Sequence, residues 1–142
     1  LSAAWQPAAG AASDPLGTFG DALALAGAEL RPEPDRLVVK LDWRVLKAID
    51  APLAAFVHVY DAAGALAAQS DGPPGHGLVP QALWVAGDGL ADERAIDVSV
   101  LPAGAYRVAV GVYNAADGER LPAVSAGVPM ADNIVPIGVL ER

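Results

Sequence analysis

Large apolar residues recur at every second position through much of this chain. From Leu37 to Val45, residues Leu37, Val39, Leu41, Trp43 and Val45 share one side, and Lys40, Asp42 and Arg44 the other. A strict period of two with a charged outer row predicts a half-buried antiparallel strand. Ile96, Val98 and Val100 alternate with Asp97 and Ser99 in the same way, and Tyr106, Val108, Val110 and Val112 with Arg107, Ala109, Gly111 and Tyr113. Ala55 to Tyr60 is apolar almost throughout, as expected of a central strand packed on both faces or shielded by loops. Weaker segments run over Asp21 to Leu30, Ala65 to Ser70, Leu78 to Val85 and Ile134 to Leu140. About eight short strands at this spacing predict an all-β, antiparallel β-sandwich, immunoglobulin-like or jelly-roll-like.

The breaks carry matching turn chemistry. Asp61-Ala62-Ala63-Gly64 and Asn114-Ala115-Ala116-Asp117-Gly118 each follow a Val-x-Val-Tyr run. There Asp or Asn accepts local backbone hydrogen bonds and Gly supplies positive φ. The likeness of these two stretches is read as two hairpins solving one turn problem rather than as a duplication. Residues 1–18 are mostly Ala, Gly, Ser and Pro around Trp5. No apolar period survives there, which predicts a linker or N-terminal arm, with the single sandwich domain occupying 19–142. Because the chain opens on Leu1, it reads as a piece of something longer.

Alanine-rich stretches raise a helical alternative, since alanine is the best helix former. Twelve prolines and fifteen glycines interrupt those windows, and no ladder of opposite charges at i,i+4 supports them. Of the 142 residues, 31 are alanine, so the 54% apolar content overstates the large side chains available for a core. A net charge of -8 argues against nucleic acid or an anionic membrane surface as a partner. No run approaches the ~20 apolar residues of a membrane span, so no direct membrane insertion is expected of this segment. Without cysteine there is no disulfide, thiolate zinc site or cysteine nucleophile.

A set of motifs resembles a known family. Phe19-Gly20-Asp21 opens it, followed by Leu37-x-Val39-x-Leu41-x-Trp43 and Phe56-Val57-His58-Val59-Tyr60-Asp61-x-x-Gly64. Then come Ala68-Gln69-Ser70-Asp71-Gly72-x-Pro74, Trp84 with Gly87-Asp88, Pro102-x-Gly104-x-Tyr106-x-Val108-x-Val110-Gly111-Val112-Tyr113, and Gly118-Glu119-Arg120-Leu121-Pro122. Over Phe19 to Leu140 this order is similar to the C-terminal β-sandwich domain of bacterial polytopic membrane glycosyltransferases of the dolichyl-phosphate-mannose type, and of related envelope proteins. Asp42 stands where that pattern carries Tyr. The resemblance implies an extracytoplasmic accessory domain, with sugar transfer residing in the membrane portion of the parent. Its partners would be a glycan or that membrane portion. A carbohydrate-binding module and an adhesion or assembly module using an edge strand are the alternatives.

Candidate chemistry is sparse, and no catalytic set, metal site or cofactor is expected. His58 lies mid-strand and reads as a structural hydrogen-bonder facing a loop. His76, in a Pro- and Gly-rich loop near Asp71, is a candidate ligand residue together with Asp71, although two histidines at this separation define no metal site. The acidic run Asp88-Gly89-Leu90-Ala91-Asp92-Glu93 lacks the order of a calcium loop and predicts a solvated turn entering the Ile96 strand. None of the five serines lies in a nucleophile elbow. Trp43 and Tyr106 share phase with core residues. Trp84 is the remaining aromatic for a surface role, either stacking on a sugar ring or packing over the sandwich edge.

Overall fold

The alternating run centred on Leu41 forms a ten-residue strand, β4 (Arg36–Val45), whose odd-numbered residues all face inward. In this computed structural model, which describes Gln6, Pro7 and residues 14–142, the remaining strands follow the same logic. They are β1 (Gln6–Pro7), β2 (Gly17–Phe19), β3 (Leu23–Pro32), β5 (Leu53–Tyr60), β6 (Leu66–Gly72), β7 (Gly89–Asp97), β8 (Ala105–Asn114), β9 (Ala123–Ser125), β10 (Val128–Pro129) and β11 (Val135–Glu141). The larger sheet has the order β10-β9-β2-β3-β4-β7, with β1 also paired on β3, and the smaller has the order β11-β8-β5-β6. All these pairings are antiparallel. The all-β antiparallel sandwich expected from the pattern is the fold found.

Between the sheets lies one core containing Phe19, Leu25, Leu37, Val39, Leu41 and Trp43 from one side and Val57, Val59, Val108 and Val110 from the other. Phe19 meets Trp43 edge-on, ring centroids 5.7 Å apart, an arrangement aromatic quadrupoles favour. Tyr106 is buried in phase with Val108, and its hydroxyl donates to the Pro102 carbonyl at 2.7 Å. That bond ties the start of β8 back to the preceding turn, as in a tyrosine corner.

Several expected boundaries move. The stretch read as an arm contains strand structure: β2 begins at Gly17, and Gln6–Pro7 pair with β3 at Leu30 and Glu29; Trp5 lies outside the described residues. The Leu78 to Val85 segment is not a strand. It holds a short 3-10 turn at Gln81–Leu83 between β6 and β7, because Pro80 and local turn bonds interrupt any ladder. The Gln81 side chain pins this loop, donating to the Ala51 carbonyl at 2.6 Å and accepting from Leu53 N at 2.9 Å. The strand expected around Ile96 ends at Asp97, whose carboxylate accepts from the Ser99 backbone and hydroxyl. Val98 is still buried, but Val100 turns out to solvent.

Candidate functional site

Of the acidic run read as a solvated turn, Asp88 does sit in the turn closed on Val85, while Gly89 to Glu93 form the first half of β7. From Leu90 to Ile96 the inward positions are Leu90, Asp92, Arg94 and Ile96. Opposite charges two residues apart occupy the inner phase, so the strand carries an ion pair where the pattern calls for apolar side chains. Asp92 and Arg94 are 1% and 2% exposed.

Each polar group of that pair has a partner. Asp92 Oδ2 accepts from the Trp43 indole at 3.0 Å, from Gly75 N at 3.1 Å and from Arg94 Nη2 at 3.0 Å, while Oδ1 accepts from Arg94 Nε at 3.1 Å. The remaining Arg94 donors reach the carbonyls of Ala55, Ser70, Gly72 and Pro73, at 3.0 to 3.4 Å. Arg94 therefore sews the edge strand β7 of one sheet to β5 and the end of β6 in the other. Buried charges tolerated in a core need this complete bonding. Gly75 approaches closely because it takes a left-handed conformation, φ 67°, which glycine adopts without a Cβ clash.

His76 joins the rim of this cluster. Its Nε2 donates to the Glu93 carbonyl and lies 3.3 Å from Asp92 Oδ1. The expected pairing with Asp71 is not made: Asp71 sits on β6 opposite Phe56, beside Tyr113, on the outer face of the smaller sheet. Trp84 is not an exposed platform either. It is 5% exposed and donates its indole N–H to the Val79 carbonyl at 3.1 Å. The loop folds over its ring and turns Leu78, Leu83 and Val85 outward instead.

A second cluster covers the outer face of the four-stranded sheet. The outward residues of β5 are Phe56, His58 and Tyr60, and the first two are buried, as the unbroken apolar run from Ala55 foretold. Phe56 lies flat on Gly111 of β8, where any Cβ would overlap its ring. The Arg120 guanidinium caps the ring at 4.7 Å, and the His58 ring lies 4.2 Å away. His58 Nδ1 and the Tyr60 hydroxyl share a hydrogen bond of 2.9 Å. Burial pushes the His58 pKa below its ordinary value; the Asp71 carboxylate opposes this, and Arg120 adds to it. Burial raises Tyr113, and the neighbouring Asp71 carboxylate raises it further.

Beside this cluster runs a groove of about 540 Å³, lined by Tyr60, Arg107 and Arg120 with the apolar side chains of Met130, Ile134 and Val139. Sequence reading placed Arg107 on an outer row but did not single out Arg120 or Tyr60. Arg120 lies in a connection with no periodicity, so its seat over Phe56 is a tertiary fact. Among the described residues no group of three or more metal-ligating side chains forms, and no helix is long and apolar enough to cross a membrane.

No family model matches the sequence, and no curated protein does. Among solved structures, a β-glucuronidase of Bacteroides uniformis is similar at 14% identity and a TM-score of 0.44, over 75% of this chain and 11% of that one. A β-glucuronidase from glycoside hydrolase family 2 is similar at 9% identity and a TM-score of 0.45, over 87% of this chain and 11% of that one. The chain thus spans a small part of either enzyme.

Proposed function

We propose that this is a non-catalytic accessory domain of a longer protein, with the outer face of the four-stranded sheet as its recognition surface. The parent we propose is a membrane glycosyltransferase-like protein, the domain lying on the extracytoplasmic side and engaging a glycan or the parent's membrane portion. The observation that carries the non-catalytic reading is the state of Asp92. It is the only buried carboxylate among the described residues. Both of its oxygens are engaged by Trp43, Gly75 and Arg94, whereas a general acid or base must be free to meet substrate. The outer face offers the reverse: half-exposed aromatic and cationic groups around an open groove, the features of a binding surface. The parentage rests on the sequence resemblance and is tested by the complete reading frame. Several upstream segments of ~20 apolar residues are expected; a parent without them overturns it.

A further inference from the structure

We propose that the groove on the outer face of the four-stranded sheet binds a carboxylate carried on a compact apolar body, with Arg107 and Arg120 holding the anion. The inference rests on reading that face as the recognition surface, and is independent of the parent's identity.

The groove is built by an irregularity in β11. Its pairing with β8 shifts between Pro136 and Gly138. Ile137 and Leu140 are both buried, three residues apart, while Pro136 and Val139 both face out. A regular strand would alternate through this stretch and send Val139 inward. The bulge thus aligns two apolar outward side chains along one wall, with Tyr60 of β5 and the Met130 to Ile134 connection completing the walls. At about 540 Å³, the space falls within the ~300–1,000 Å³ typical of small-molecule sites.

The charge at this groove runs against the rest of the chain. The protein carries -8 overall, yet the charged lining residues are Arg107, Arg120 and Asp132. Three of the other arginines face carboxylates: Arg31 and Arg36 meet Glu33, and Arg94 meets Asp92. Neither groove arginine has such a partner among the described residues. Arg120 is held by a bond from Nη1 to the Asp132 carbonyl at 2.9 Å and by the Phe56 ring. Arg107 projects from the outward phase of β8, between buried Tyr106 and Val108. A guanidinium whose plane is already fixed suits a planar carboxylate, and the apolar walls suit an apolar body rather than a bare anion.

The test is a titration of the full chain with 3-phenylpropionate and, separately, its neutral analogue 3-phenylpropionamide, followed by amide chemical shifts. Saturable shifts are expected in β8, β11 and the Met130 to Ile134 connection for the acid, with the amide about tenfold weaker. Arg107→Gln and Arg120→Gln should each weaken the acid about tenfold and narrow the gap to the amide. Arg44→Gln, on the outer row of the other sheet, should change nothing. Since the Arg107 side chain is exposed and makes no hydrogen bond or ion pair with the described residues, its variant keeps the test valid if Arg120→Gln disturbs Phe56. Equal binding of acid and amide, acid binding indifferent to both groove variants, or no saturable shift at the groove would each overturn the proposal. None of these outcomes bears on the upstream spans that test the parentage.

Discussion

Two polar clusters sit on opposite sides of the smaller sheet. The inner one, Asp92 with Arg94, is sealed between the sheets and has its bonds completed by Trp43, Gly75 and four backbone carbonyls. The outer one, around His58, Tyr60, Arg107 and Arg120, is partly covered and opens onto a groove. Both contain the residue types from which sites are made. What separates them is whether the polar valences are already used. Saturated groups act on stability, and unsaturated ones at a concave surface are available to a ligand.

The largest expected effect probes the inner cluster. Arg94→Met leaves Asp92 buried without its counter-charge and should cost about 3–5 kcal/mol in urea unfolding. The double variant Asp92→Leu with Arg94→Met should lose less than the two single changes summed, because neither then strands the other. Strict additivity would show that the pair does not act as a unit. Trp43→Ala should cost about 3–5 kcal/mol through the cavity it leaves, against about 0.5 kcal/mol for the neighbouring outward Arg44→Ala. Similar unfolding midpoints for those two would mean the faces of β4 are misassigned.

Much of this was legible from the chain. The alternation of β4 and β8 places core residues without further help, and Asp61 and Asn114 take the local turn bonds expected of them. The buried ion pair was not legible. An inner phase reading Leu90, Asp92, Arg94, Ile96 looks polar unless the two charges are known to neutralise each other across β7 and to meet the carbonyls of another sheet. Trp84 escaped for a related reason: its neighbours Leu78, Leu83 and Val85 are as apolar as it is, and only the folded loop decides which of them is covered. Arg120 required knowledge of what lies beneath it.

Smaller effects are expected at the outer cluster. Gly111→Ala should cost about 1–3 kcal/mol, because the methyl group displaces the Phe56 ring. In a Phe56→Ala background the same change should be nearly neutral; a full cost there would mean that β8 needs the glycine for its backbone. The smallest effect concerns pH. Because burial lowers the His58 pKa in the folded protein, the unfolded chain takes up the proton first. Stability from this residue is therefore complete above about pH 6.5 and falls as pH drops from there toward the folded pKa. The wild-type protein should lose more stability than His58→Gln between pH 7.5 and pH 5, and parallel profiles would remove His58 from the account.

The most direct measurement is hydrogen exchange at the Trp43 indole N–H, the proton that Asp92 accepts inside the sandwich. If the inner cluster is purely structural, this proton should exchange only when the whole domain unfolds, with the same opening free energy as the best-protected amides of β4. Fast exchange, at an opening free energy well below the global value, would mean that solvent reaches Asp92 in the native state, and the separation of a sealed interior from a recognising exterior would not stand.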